Sequence, residues 1–311
     1  MQDGLVPVER CQLCGSSERT TMFAEPPYTV VRCAKCGLVY VTPRRSPESL
    51  VADVYGESYW KSSEPKAKGY ADYAKDQELY LKTYRHRAKL LAPLLGDRKV
   101  RVLDIGCAAG YFLRVMMEKG HDVFGAEVSA TIAEKAREAL GDQRVHVGFL
   151  SGAVGKKPGF ELGTFDHVTL WDVVEHVPDP QSFLREVRSM LKPGGLLVLE
   201  TQNVTSRFAR LLGKRWQHYK HEEHLYHFDP TTVRELLRQG GFSVVSNTAR
   251  YGGKYVSFGF IRERAGRLHK SLSIILSPLA LLERMSIYLN LLDEMVVVAR
   301  PESVAALCAT A

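Results

Sequence analysis

No apolar run in this 311-residue chain reaches 18 residues, so a membrane-spanning helix is not expected. The opening MQDGLVPVERCQLC lacks the basic-then-apolar order of an export signal, and a cytoplasmic protein is the expectation. Internal repeats and low-complexity blocks are missing too, so repeat architectures are not expected. Charge of either sign is modest: 42 Lys and Arg against 35 Asp and Glu leave +7. That permits a nucleotide sugar, RNA or a membrane surface as partner and requires none of them. The length suits one large domain with a small appendage. Cysteine is scarce, six in all, and four of the six fall in two close pairs.

The richest stretch is VLDIGCAAGYF, from Val102 to Phe112. Val102, Leu103 and Ile105 suit a buried parallel strand. Gly106 and Gly110 let the backbone turn and approach a ligand. Residues 111–119 then read as a helix. A strand, a glycine turn and a helix open a doubly wound α/β sheet, with the ligand beside the helix N-terminus. A dinucleotide would need a third small residue where Tyr111 stands, so NAD is disfavoured. Asp104 would repel a diphosphate but hold an ammonium group. Glu127 closes a second apolar strand, where a ribose diol is held. An amino group and a ribose without phosphate describe S-adenosylmethionine (SAM).

These residues resemble motif I of the class I SAM-dependent methyltransferases. GAEVS at 125–129, FDHVTLWDVVEHVPDP at 165–180 and LKPGGLLVLETQN at 191–203 continue the resemblance in order. Ala108 departs from it, standing where the family usually has glycine. The resemblance implies a Rossmann-like, seven-stranded α/β sheet over residues 99–311. It also implies a cofactor edge made of Asp104, the backbone of Gly106, Cys107, Ala108 and Gly110, and Glu127 with Val128. Trp171 and Asp172 would lie near SAM. Many relatives hold adenine with an acid after the third strand; none is close here, so backbone groups near Leu150 are expected instead.

Cys11, Cys14, Cys33 and Cys36 form C-x2-C-x18-C-x2-C, a spacing that lets four thiolates face one tetrahedral ion. Residues 1–45 therefore read as a zinc ribbon, too small to fold on a core alone. Four cysteines leave no open position, so the zinc is expected to be structural. The ribbon is expected to pack on the larger domain and shape its substrate cleft. A linker with helices, 46–98, joins the two. It includes a short helix from Ser46 or Pro47 to Tyr55, a helix from Tyr73 to Leu95, and aromatics Tyr55, Tyr59 and Trp60 that could close over the cofactor.

Residues 203–230 carry histidines at 218, 221, 224 and 227. A substrate wall with a general base is the leading reading, ahead of a polar loop and a second metal site. The string EEHLYHFDP resembles bacterial methyltransferases that join a four-cysteine zinc domain to the class I fold, some of them sugar C-methyltransferases. That resemblance implies catalytic roles for Glu223, His224 and His176. The further C-terminal domain of those enzymes is not expected here, so O-methylation of a sugar, nucleotide sugar or glycan becomes at least as good a reading. A zinc-ribbon RNA base methyltransferase is the alternative. Residues 250–292 read as a helical lid. Within 262–285, Arg262, Arg264, Arg267 and Lys270 precede an uncharged run, a pattern that suits a peripheral membrane contact.

Overall fold

The computed structural model describes residues 4–46, 49, 60, 76–95, 98–268, 275–283 and 285–302. The N-terminal ribbon contains β1 (Leu5–Val6), β2 (Arg19–Glu25), β3 (Tyr28–Cys33), β4 (Val39–Thr42) and β5 (Arg44–Arg45). Helix α1 (Gln77–Leu95) then leads to β6 (Arg101–Ile105), α2 (Tyr111–Glu118), β7 (Asp122–Glu127), α3 (Ala130–Leu140) and β8 (Val145–Val147). The second half holds β9 (Phe165–Trp171), α4 (Pro180–Met190), β10 (Leu191–Gln202) and α5 (Arg207–Leu212). It continues with β11 (Tyr226–His227), α6 (Pro230–Gln239), β12 (Phe242–Thr248), β13 (Lys254–Ser257), α7 (Phe258–Leu268), β14 (Ser286–Leu289) and β15 (Glu294–Pro301). The helix expected from Ser46 or Pro47 to Tyr55, with Tyr55 and Tyr59, lies outside the described residues save Ser46 and Ser49.

Seven strands form the main sheet in the order β12-β15-β10-β9-β6-β7-β8. This is the Rossmann-like sheet expected from the sequence. Strands β10, β9, β6, β7 and β8 run parallel, while β15 lies antiparallel between β10 and β12. From β6 the chain winds outward to β8, then returns to β9 on the other side. The strand order reverses there, and that leaves a crevice at the carboxyl ends of β6 and β9.

Local chemistry sets the helix starts. Asp229 Oδ1 accepts the Thr231 and Thr232 N–H groups at 2.9 and 2.8 Å, Thr232 Oγ1 accepts the Asp229 N–H at 2.9 Å, and Pro230 fills the first helical position of α6. Asp179 caps α4 through the Ser182 N–H at 3.0 Å. Two hydrophobic layers cover the sheet faces. Leu81, Ala88 and Leu91 of α1 pack with Phe112, Leu113 and Val198 on one face. On the other, Leu103, Val168, Leu170 and Leu199 pack with Leu184, Val187 and Leu236. Each large apolar side chain taken out of water contributes about 1.5–3 kcal/mol.

The ribbon is part of that second layer. Cys11, Leu13, Val31, Cys33, Leu38 and Tyr40 share one core with Leu225, Tyr226, Phe228 and Leu236. Its sheet is completed by the histidine-rich insertion, for β11 pairs antiparallel with β4 through Tyr226↔Tyr40 and His227↔Val39.

The lid departs from expectation. Between β12 and β15 lie not helices alone but the antiparallel ribbon β13–β14, with Tyr255 opposite Tyr288 and Val256 opposite Ile287. KYVS and SIYL are short and rich in aromatic and β-branched residues, which suit strands. The uncharged run between them, read alone, favours a helix. Lys270 and residues 271–274 lie outside the described residues, as does the Arg267 side chain. Arg262 pairs with Glu283 and Arg264 lies 3.8 Å from Glu263, so the described part of the basic apron is charge-compensated. Among the described residues no helix is long and apolar enough to cross a membrane.

Candidate active site

The crevice has two edges. On the β6–β7 edge, Gly106 has φ +74°, and a Cβ there would sit 2.6 Å from Val173 Cγ2. Gly110 caps α2 at φ +74°, where a Cβ would press on Ala136 and Leu140. Ala108 holds φ 47°, the left-handed region. So the loop keeps the glycine-type conformation despite the alanine, at a cost of roughly 1–2 kcal/mol. The Ala108 and Ser129 N–H groups donate to the two Glu127 oxygens, both at 2.9 Å. Glu127 thus fastens the turn after β6 to the end of β7, with lone pairs left for a diol. The Trp60 indole N–H donates to Ser129 Oγ at 2.8 Å, which brings the linker onto this edge.

Asp104 is buried and accepts a hydrogen bond from Thr169 Oγ1 at 2.6 Å. Burial pushes its carboxyl up to about 8. A cationic group beside it would return it to the charged form. Burial likewise raises Glu127. The other residues expected here divide. The Cys107 thiol is buried in the core against Gly125, so this residue offers backbone only. Val128 is half-buried beside Glu127. Leu150 is buried, and its carbonyl already accepts the Ala153 and Val154 N–H groups at 2.8 and 3.3 Å. The Trp171 ring packs edge-on to Tyr84 and Phe112, with the Arg87 guanidinium 5.0 Å from its centroid. It therefore faces the α1 layer. Asp172, at φ 55°, turns the chain at the strand end and meets Lys254 Nζ at 3.4 Å.

The β9–β10–β15 edge is crowded with titratable groups. Glu175 and His176 lie on a 3-10 turn, Val174–His176. Glu175 Oε2 accepts from Thr201 Oγ1 at 3.0 Å. The rings of His176 and His224 stand 4.8 Å apart at 87°. His224 Nδ1 lies 2.7 Å from the His218 carbonyl. A carbonyl only accepts, so Nδ1 carries the proton and Nε2 has the free lone pair. Burial holds His224 well below the usual imidazole range and lowers His176 also. Both are neutral at pH 7. Glu223 is fully buried, with its carboxylate 2.9 Å from Lys220 Nζ. Possible ligand atoms of Glu175, His176 and His224 lie within 4.8 Å of one another. A cation there would occupy the imidazole lone pair that a base needs.

The three-residue spacing of the insertion histidines does not bring the four together. His221 turns to Glu25 of β2, at 3.1 Å. His227 Nδ1 meets Gln202 Nε2 at 3.3 Å. His218 faces Asp293 and Glu294, each at 3.5 Å. From His218 to Leu225 the segment is turns and loop rather than helix; the His218 and His224 rings lie near parallel, 6.1 Å apart at 22°, while His221 and His227 turn to other partners. Sequence reasoning missed the acids of this edge. Asp293 accepts from the Trp216 indole at 2.8 Å, Glu294 pairs with Lys254 at 2.8 Å, and the buried Glu200 meets Arg87 at 2.6 Å. The acid pair Asp293-Glu294 just before the apolar run 295–299 was the available signal.

The four ribbon cysteines converge as expected. Cys11 and Cys36 Sγ are 3.5 Å apart, as are Cys14 and Cys33 Sγ, and all four sulfurs lie within 4.8 Å. A zinc tetrahedron with bonds of about 2.3 Å places its sulfurs about 3.8 Å apart. A disulfide needs about 2.05 Å, and these cysteines are free. Gly15 and Gly37, at φ +73° and +79°, turn the two knuckles. The donor set fits zinc.

A family profile for the methyltransferase domain matches residues 73–247, more than half of the chain. The chain belongs to this methyltransferase family. Its relatives carry the same catalytic class in their names. A ubiquinone biosynthesis O-methyltransferase of Xanthomonas axonopodis pv. citri is 33% identical over 169 residues, covering 51% of this chain and 69% of that one. Its counterpart from Xanthomonas campestris pv. campestris strain B100 is 35% identical over 131 residues, covering 39% of this chain and 55% of that one. Among solved structures, magnesium protoporphyrin IX methyltransferase from Synechocystis PCC 6803, with bound S-adenosylhomocysteine, superposes with a TM-score of 0.50 at 14% identity. It covers 82% of this chain and 100% of that one, a likeness of fold. This chain is a SAM-dependent methyltransferase.

Proposed function

We propose that this methyltransferase O-methylates a small hydroxyl-bearing acceptor, a sugar or glycan hydroxyl in the first instance, with His224 as general base. The carrying observation is the neutral, buried His224 ring with Nδ1–H fixed on the His218 carbonyl and Nε2 left to accept a proton. Bound SAM supplies an electrophilic methyl on its sulfonium. Asp104 holds the ammonium group, Glu127 the ribose diol, and the backbone from Gly106 to Gly110 the methionine part. Asp172 turns the strand end toward the acceptor. His176 packs edge-on to His224. Glu223, neutralised by Lys220, steadies the loop from which both act. Alignment of acceptor and methyl carries most of the rate, and a positioned base adds about 10²–10⁴-fold. The zinc held by Cys11, Cys14, Cys33 and Cys36 is structural.

The names of the relatives favour a second acceptor class, a phenolic hydroxyl. Either acceptor uses the same base. The RNA alternative gains nothing from these names, and a membrane contact through 262–285 gains nothing from arginines that are already paired. The deciding experiment is to incubate the enzyme with methyl-labelled SAM and a fractionated extract, then with panels of nucleotide sugars and simple phenols. Label in the sugar or glycan fraction supports the first reading. Label confined to phenols transfers the proposal to the second, and label in RNA overturns both.

A further inference from the structure

We propose that the ribbon positions the acceptor site, and that Arg44 is the positioning residue through which it sets the separation of His224 and His176. This rests on the assignment of His224 above. Two connections carry it. The first is backbone. Leu225, directly after His224 and fully buried, is held from both sides: Val41 N–H of β4 donates to its carbonyl at 3.0 Å, and its own N–H donates to the Glu175 carbonyl at 2.9 Å. Tyr226 and His227 then add to β4 as a fourth strand. One residue thus ties the ribbon, the base-bearing loop and the loop of His176 in a single line.

The second connection is the Arg44 side chain. Nη1 donates to Tyr226 Oη at 2.6 Å, and Nη2 donates to the Pro178 carbonyl at 3.2 Å. Tyr226 Oη donates to the same carbonyl at 2.8 Å, and the guanidinium lies 5.4 Å from the Tyr226 ring centroid. Pro178 is two residues beyond His176, and Tyr226 two beyond His224. The planar fork therefore fixes both histidine-bearing loops to each other and to β5. An ammonium has no such fork, so lysine cannot reproduce the geometry in full. The anchor behind β4 and β5 is the four-cysteine cluster, for Cys11 and Cys33 lie in the same core as Leu225 and Tyr226. The same core also reaches Leu103, Ile105 and Ala126, so what sets the acceptor edge apart is its hydrogen bonds to β4 and β5. Glu127 and Asp104 are held by Ala108, Ser129 and Thr169.

The test needs no acceptor. Full-length, zinc-loaded enzyme and its Arg44→Ala and Arg44→Lys variants would be compared by amide exchange, by imidazole ¹⁵N shifts of His224, and by SAM titration. Arg44→Ala should speed exchange at Leu225–His227 about tenfold or more. It should also weaken the Nδ1–H signature of His224, with SAM affinity within about twofold of wild type. Arg44→Lys should fall between the two. Graded zinc removal should open the same amides while residues 104–110 keep their protection. Unchanged exchange and unchanged His224 shifts in Arg44→Ala overturn the proposal. So does zinc removal that opens residues 104–110 together with 225–227, because the ribbon would then merely hold the whole fold. A His224→Ala enzyme that still transfers methyl at full rate would sink the base assignment alone and leave these readouts standing.

Discussion

The edge proposed to hold the cofactor and the edge proposed to hold the acceptor share one row of strand ends and are assembled in opposite ways. The cofactor edge comes mostly from one stretch, Asp104 to Ser129, tied by Ala108 and Ser129 to Glu127, with Thr169 and Trp60 adding one hydrogen bond each from outside it. The acceptor edge gathers Arg44 of the ribbon, Glu175 and His176 after β9, Thr201 in β10, His218 to Tyr226 of the insertion, Lys254 of the lid and Glu294 of β15. Their charges differ too. Burial raises acids on both edges, Asp104 and Glu127 on the first and Glu175 and Glu294 on the second, and the second edge adds imidazoles that burial lowers. A common cofactor can be held by a local, portable unit. The proposed acceptor site draws on elements from β5 to β15, and such a dispersed site is where enzymes on one fold come to differ.

Four measurements separate the two edges. The largest effect is expected from Glu127→Ala, which removes a carboxylate carrying two backbone hydrogen bonds and the proposed ribose contacts. With about 1.5–3 kcal/mol per charged hydrogen bond, the SAM dissociation constant measured by calorimetry should rise about 10²-fold, with His224 shifts unchanged. Next is the pH dependence of SAM binding. Asp104 is protonated below about 8 in the free enzyme and must ionise to hold an ammonium. Affinity should therefore fall as pH drops below 8, by at most about tenfold per unit. Titrations in buffers of different ionisation enthalpy should show proton release, and Asp104→Asn should abolish the slope.

The third result is opposite local responses to acid. Asp104 is raised above its unfolded value of 3.8. Its contribution is fully present at low pH and lost as pH rises through about 8. His224 and His227 are depressed, so their contribution is present above about 6.5 and lost as pH falls toward their folded values. Amide exchange, corrected for intrinsic rates, should show 104–110 gaining protection from pH 8 to 5 while 224–228 loses it. Parallel behaviour of the two segments would break the comparison. The smallest effect is expected from Trp216→Phe, which removes one indole hydrogen bond to Asp293. Chemical denaturation should show a loss of about 1–3 kcal/mol, and SAM affinity should stay put.

The same contrast explains what could be read in the sequence. Val102–Phe112, Glu127 and the four cysteines lie in contiguous or evenly spaced motifs, where a strand period, a positive-φ turn or a metal-ligand spacing leaves a local mark. The Rossmann-like, seven-stranded sheet was implied by the resemblance those motifs carry. Tyr226–His227 left no such mark, because a two-residue strand has no period; only its partner β4 makes it a strand. Trp171 looked like a cofactor neighbour from its place at the strand end, but the pleat turns its ring to the α1 layer beneath Arg87. Glu200 reads as a polar lapse in an apolar strand until Arg87, far earlier in the chain, is placed against it. The β13–β14 ribbon was masked by the uncharged run it encloses.

The central claim is that binding of SAM and activation of the acceptor are separate duties of the two edges, with His224 as the base. The most direct measurement compares wild-type and His224→Ala enzymes in two assays on the same preparation: SAM titration, and label transfer from methyl-labelled SAM into the small-molecule fraction of an extract. His224→Ala should bind SAM within about twofold of wild type and transfer label at least about 10²-fold more slowly. Wild-type transfer by His224→Ala, or loss of SAM binding in step with transfer, would contradict that claim.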